Sequence, residues 1–178
     1  MKRWIIALII LIVFFIGLVA VFFRLFPIKY INEIKVYSSK YGLKEYVVAS
    51  VINIESGYNE KAVSHAGAMG LMQLKLSTAN DMARNTDIII TEDNIFDVDI
   101  NIEMGCKYIA YLLKMFDGNE VNALASYNWG LQNVKDWIST GNVDSNGTII
   151  GIPVRETEMY LKKYKFCKYI YSSVYGLR

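Results

Sequence analysis

From Trp4 to Phe23 the chain runs twenty residues without a charge, and after that its apolar positions become periodic. The unbroken run is long enough, at about 1.5 Å per residue, to cross a hydrocarbon core roughly 30 Å thick. The periodic part predicts helices. Residues 30–41 and 44–55 form two candidates, separated at Tyr41-Gly42, where glycine can end the first. Ser77 is placed to cap a short helix reaching Arg84. Residues 85–99 carry no helical period and hold only Ile88-Ile89-Ile90 as a β-like run.

Asp97 or Asp99 then opens a helix whose apolar residues, Ile102, Cys106, Ile109, Leu113 and Phe116, are spaced four, three, four, three. Gly118 stops it. Asn119 can cap the next helix, which reaches Tyr127; Trp129-Gly130 reads as a turn, and Val134 to Ile138 resumes helix. Residues 140–152 read as a polar loop. After Pro153 a last helix carries Tyr160, Tyr164, Cys167, Tyr171 and Val174 on one stripe. The expected architecture is mainly α, a helical domain preceded by one N-terminal transmembrane helix.

The run 4–23 has a rival reading as a cleaved signal peptide. Signal peptides have apolar cores of about 7 to 15 residues and a small-residue cleavage site. This run is longer, and Leu18-Val19-Ala20 is a poor site, so an anchor in the lipid bilayer is expected. Lys2 and Arg3 before the run, against Arg24 after it, favour an N-terminus inside and a domain outside the cytoplasmic membrane. The chain then divides into a tip and anchor (1–26), a linker helix (27–43) and one domain (44–178), a normal size for a single core.

Setting aside Lys2, Arg3 and Arg24 leaves 16 bases against 17 acids, so the charge balance suggests no nucleic acid partner. The stretch 81–103 is acidic and the last helix is basic, both readable as solvated faces. Cys106 and Cys167 stand on apolar stripes, and an exported location leaves both a disulfide and two buried thiols open. One histidine, His65, and no Cys/His cluster give no support for a metal site.

The chemistry gathers at Glu55. It follows Val51 and Ile52 by four and three residues and shares their apolar face. It also lies in a last helical turn, near the negative end of the helix dipole. Desolvation and the dipole both disfavour its charge, so an upward pKa shift and a general acid are expected. A solvated glutamate at a helix end is the plain alternative. Downstream, Gly67 and Gly70 permit close backbone approach, and Ser64 and Gln73 supply polar groups. Tyr127, Asn128 and Trp129 put rings beside an amide, which suits a sugar.

These residues carry a resemblance. Glu55-Ser56-Gly57-Tyr58-Asn59, Ser64, and Gly67-Ala68-Met69-Gly70-Leu71-Met72-Gln73 resemble the soluble-type lytic transglycosylases, lysozyme-like relatives of goose-type lysozyme. Phe96-Asp97 through Tyr108, Ala123 through Val134, and Ile152-Pro153 with Glu156-Thr157 and Tyr160 are similar to three further motifs in order. Four ordered motifs over about residues 44–175 are far more specific than one. The resemblance implies a lysozyme-like fold, no cofactor, and peptidoglycan glycan strands as partner. It also implies cleavage between N-acetylmuramic acid and N-acetylglucosamine with a 1,6-anhydro product. It makes Glu55 the single catalytic residue. Ser64 and Gln73 would orient Glu55 or the acetamido group, Tyr127 would lie close to Glu55, Asn128 would support the turn, and Trp129 could stack on a sugar. Glu156 is expected to be a structural acid of the last helix.

This chain departs from the family at three places. Lys75-Leu76 replaces Met-Pro, Trp129 replaces a small residue, and Leu131-Gln132 replaces Pro-Gly. Lys75 either turns outward or places a cation near Glu55, and a cation there would lower the acid's pKa. Two rivals follow: a lysozyme-type hydrolase, with Asp97 or Asp99 as second acid, and a non-catalytic peptidoglycan-binding anchor.

Overall fold

The protein is described from a computed structural model covering residues 2–84 and 86–178. Met1 of the expected tip and Asn85 of the expected irregular stretch lie outside the described residues. The first helix, α1 (Lys2–Leu25), is long and apolar enough to cross a membrane, and none of its apolar window is buried against the rest of the chain. Phe26 to Tyr30 turn the chain into α2 (Ile31–Lys40), whose Ile34 and Ser38 are buried in the core.

The core is built around α3 (Glu45–Ser56), where Val47 to Ile52 form one continuous buried run. Six consecutive buried residues leave no face for water, so this helix must be covered on all sides. It is packed by α2, by α8 (Arg155–Tyr169) and by the turn of π-helix that continues α8 over Ile170–Val174. Gly57, at φ 59°, closes α3 in the left-handed conformation. A helix ended there turns the next segment sharply, which brings 58–75 back across its end.

That return is a hairpin absent from the sequence reading. Ala68–Met69 (β1) pairs antiparallel with Leu74–Lys75 (β2), and Gly70 to Gln73 make the turn. Two-residue strands carry too little alternation to be legible in a sequence. Next, α4 (Leu76–Ala83) begins two residues earlier than expected, with Lys75 at its N-cap and no side-chain cap, so Ser77 sits inside the first turn. The 88–90 run forms no strand; Asn80 holds Ile90 instead, accepting from its N–H and donating to its carbonyl.

The α5 helix (Val98–Met115) begins at Asp97, whose carboxylate accepts from the Ile100 N–H at 3.1 Å. Asn119 caps α6 (Glu120–Trp129) in the same way. Gly130, at φ 95°, separates α6 from α7 (Leu131–Ser139). The polar loop 140–152 is pinned by Asn122, which donates to the Gly147 carbonyl and accepts from the Ile149 N–H. Val174 is 55% exposed and leaves the stripe it was expected to join, because the π turn at 170–174 changes the helical period. Cys106 and Cys167 are free buried thiols, and burial raises both pKa values, that of Cys167 to about 11.

Candidate active site

The end of α3, the β1–β2 hairpin, the end of α6 and the start of α8 enclose a cleft of about 680 Å³. Glu55 lies in its wall, one residue before the end of α3. Ser56 fixes that end: its hydroxyl donates to the Leu71 carbonyl at 2.7 Å and to Ile52 within the helix. The acid and the hairpin turn are therefore joined by a hydrogen bond between adjacent positions.

The turn is held from below by Asn101 of α5, a buried side chain with three hydrogen bonds. It accepts from the Met72 N–H at 2.8 Å and donates to the carbonyls of Ile95 and Met69. Gly70 is obligatory for this packing. Its φ is +78°, and a Cβ built there would stand 2.2 Å from the Asn101 amide nitrogen. The close approach read at Gly70 is thus made to Asn101 rather than toward the cleft. Gly105 serves the same packing, because a Cβ there would meet the Met72 sulfur at 2.2 Å.

Glu55 has its pKa raised from 4.5 to about 7. Burial is the main cause, the neighbouring Tyr160 hydroxyl pulls partly the other way, and the charge of Glu156 adds a smaller upward push. Lys75 lines the cleft, but no cation is among the groups that shift Glu55. Of the two positions open to the Lys75 side chain, the outward one is found: it is exposed.

Tyr127 stands close to Glu55, and its hydroxyl donates to the Met72 carbonyl at 2.7 Å. Burial first, and then the Glu55 charge, hold that phenol well above its ordinary pKa, so it remains a neutral donor. Its ring lies 5.3 Å from that of Tyr108, another residue of the cleft wall. Asn128 accepts from the Thr157 hydroxyl at 2.8 Å, tying the end of α6 to the start of α8. Trp129 lines the cleft, half-buried.

Ser64 and Gln73 line the same cleft, with local duties. The Ser64 hydroxyl accepts from the Ala68 N–H at 3.0 Å, which leaves its own proton free to donate. The Gln73 amide nitrogen donates to the Ala62 and Gly70 carbonyls, which leaves its oxygen as the available group. Gln73 does this at φ 47°, a backbone conformation uncommon for a side chain of its size. Glu55, Ser64, Gln73, Tyr127, Asn128 and Trp129 thus line one cleft.

Two residues given no site role from the sequence act on Glu55. Glu156, expected to hold the last helix, is exposed and also lines the cleft, where its charge acts on Glu55. Tyr160, one turn further along α8, is buried with its hydroxyl unpartnered by ordinary hydrogen-bond geometry, and lies near Glu55. The i, i+4 spacing of Glu156 and Tyr160 was the available signal, since it puts both on one helix face. Asp97 and Asp99, the second acids considered for a hydrolase, are occupied elsewhere: Asp97 caps α5 and Asp99 accepts from Tyr37. Among the described residues, no group of three or more metal-ligating side chains occurs.

The chain is similar to known proteins in both sequence and fold. The family model described as the Transglycosylase SLT domain matches residues 32–147. The chain is 30% identical over 141 residues to the soluble lytic murein transglycosylase of Escherichia coli, covering 77% of this chain and 22% of that protein. It is 34% identical over 116 residues to membrane-bound lytic murein transglycosylase C of Cronobacter sakazakii, covering 60% and 32%. The crystal structure of the 70 kDa soluble lytic transglycosylase of Escherichia coli superposes with a TM-score of 0.78 at 28% identity, over 85% of this chain and 25% of that one. An inactive mutant of lytic transglycosylase Slt from Pseudomonas aeruginosa gives 0.74 at 26% identity, with the same coverage. The chain thus spans about a fifth to a third of the length of these relatives.

Proposed function

The chain belongs to the Transglycosylase SLT domain family, and from that premise we propose that it is a membrane-anchored lytic transglycosylase. Its substrate is the glycan strand of peptidoglycan, cut between N-acetylmuramic acid and N-acetylglucosamine with formation of a 1,6-anhydro end. The observation that carries this reading is Glu55: a half-buried carboxyl whose pKa is raised to about 7, in the wall of a cleft large enough for sugar rings. Near neutral pH about half of such groups hold a proton, so one residue can act as acid and then as base.

The proposed steps follow from that dual capacity. Protonated Glu55 donates to the glycosidic oxygen, the bond from C1 to that oxygen breaks, and N-acetylglucosamine leaves with a free 4-hydroxyl. The acetamido carbonyl of the muramic sugar stabilises the positive charge at C1. Ionised Glu55 then takes the proton of the 6-hydroxyl as O6 bonds to C1. Glu55 ends protonated, and no water is consumed. Ser64, with its free proton, and Gln73, with its free oxygen, orient the acetamido group. Tyr127 holds the cleft wall through Met72, Asn128 joins that wall to α8, and Trp129 stacks on a sugar face.

A hydrolase that inverts at C1 needs a second carboxylate to activate water. Glu156 favours that second reading, because it is the other acid of the cleft wall. The products separate the two. Full-length chain in detergent, incubated with purified peptidoglycan, is expected to release anhydro-ended muropeptides. These are one water lighter by mass spectrometry than reducing-ended ones. Glu55→Gln is expected to lose roughly 10²- to 10⁴-fold of the rate. Reducing ends abolished by Glu156→Gln would establish the hydrolase instead. Wall binding without any product would sink both in favour of a binding module.

Membrane anchoring rests on α1, on the acid-free start of the chain, and on likeness to a membrane-bound relative. With Lys2 and Arg3 inside, the cleft faces the wall side of the membrane.

A further inference from the structure

The face that α8 turns away from the core does not have the composition of an ordinary solvated surface. Phe166 and Tyr169 are 56% and 62% exposed. Lys163 and Lys165 flank them around the helix and have no ion pair among the described residues, whereas Lys162 and Lys168 are held by Glu158 and Glu120. From Met159 to Arg178 there are five bases and no acid; residues 1–32 hold four bases and no acid. Charge segregated this strongly, with large rings between the cations, is the pattern of an interfacial surface.

These two acid-free segments meet in the fold. The Phe166 ring packs edge-on against Phe26, with centroids 5.6 Å apart, just past the end of α1. Phe22, inside α1, stacks on Tyr175 at 6.2 Å. The hydroxyls of Tyr175 and Tyr171 donate to the carbonyls of Phe26 and Pro27, and Asn53 donates to that of Leu25. Phe166 is therefore level with the exit of α1. If α1 spans the bilayer, that level is the headgroup region, where aromatic rings and lysines are favoured.

We propose that the outward face of α8 is a second membrane contact, with Phe166 and Tyr169 in the interface and Lys163 and Lys165 on anionic lipid headgroups. The proposal rests on the membrane-anchor reading of α1. Its occupant is the lipid surface, because the ring that the face presents is already packed on the residue next to the span. Two attachments fix the tilt of the domain as one cannot. Glu156, at the cleft end of α8, is then held about 15 Å along the helix from Phe166, and the cleft keeps a set orientation to the wall.

The test uses full-length chain in nanodiscs of phosphatidylcholine, with or without phosphatidylglycerol, made with brominated acyl chains that quench nearby indoles. Trp4 reports on the span: the native chain is expected to lose emission, and Trp4→Phe to abolish that loss. Phe166→Trp in the Trp4→Phe chain is expected to restore a loss, toward about one third of the emission, the share of one indole in three. Lys163→Glu with Lys165→Glu is expected to weaken that loss in the anionic discs only. Quenching of Trp4 with none from position 166 would overturn the surface contact and leave the anchor standing. An unquenched Trp4 would overturn the anchor, and the contact with it. Equal quenching in the two lipids, unmoved by the lysine changes, would overturn the anionic-headgroup part.

Discussion

A carboxyl group buried beside apolar side chains must either find a cation or hold its proton. Glu55 keeps its proton up to about pH 7, and two predictions follow at the scale of that residue. If protonated Glu55 starts the reaction, kcat/KM falls as pH rises through about 7. The Tyr160 hydroxyl lowers the Glu55 pKa, so Tyr160→Phe is expected to move this alkaline limb to higher pH, as read in the pH–rate profile. A limb that stays in place would remove Tyr160 from contact with the acid. The second prediction concerns stability. The folded pKa of Glu55 is raised above the unfolded value, so the folded state binds the extra proton, and stability falls as pH climbs from 4.5 to about 7. Glu55→Gln lacks this loss. Its unfolding free energy in urea should match that of the native chain near the lower pH and exceed it above the upper one, by up to about 3 kcal/mol. Acidic behaviour of Glu55 was legible in the sequence from Val51 and Ile52. Tyr160 as its neighbour was not, because the two residues are about a hundred positions apart and only packing joins them.

At the scale of the element, the hairpin of β1 and β2 matters most. It has two residues per strand, too few to be stable alone, and it is kept in place by Asn101 and Ser56 from two different helices. Gly70→Ala forces a Cβ against Asn101 at a positive φ, a combination costing about 1–3 kcal/mol or more. Asn101→Ala leaves the Met72 N–H and two carbonyls without partners in the interior, at about 1–3 kcal/mol for each group left unsatisfied. Both variants are expected to lower the urea midpoint. Both should also reduce kcat, because Gln73 and the Met72 carbonyl that receives Tyr127 move with the turn. A variant with full activity and a lowered midpoint would separate the hairpin from catalysis. The long helices were legible from their four-three spacing and from Asp97 and Asn119 as caps. The hairpin was not, since its order comes from side chains outside it.

At the scale of the whole molecule, the domain is fastened to α1 by hydrogen bonds at consecutive carbonyls, Leu25, Phe26 and Pro27. The donors come from the middle and the end of the chain, so the C-terminal segment acts as a clamp on the neck of the apolar helix. Tyr171→Phe with Tyr175→Phe removes two of the three bonds, at about 1 kcal/mol each. Amide hydrogen exchange is expected to speed up over 26–30 in the full chain, with 68–75 unchanged. Equal change in both segments would mean a loss of global stability rather than release of the neck.

What the sequence by itself determined follows from local periodicity and local chemistry. The uncharged run, the apolar stripes of the helices, the glycine stops and one acid on an apolar face each need only neighbours three or four residues away. What the tertiary structure alone decided depends on side chains distant in sequence. Burial from several elements raises the Glu55 pKa to about 7, Glu156 lines the cleft from the first turn of α8, and the Lys75 side chain is exposed. Gly70 is there for Asn101, thirty-one positions away. Periodicity says which face of a helix is buried; only the assembled core says against what, and a carboxyl group's proton affinity is set by that second fact.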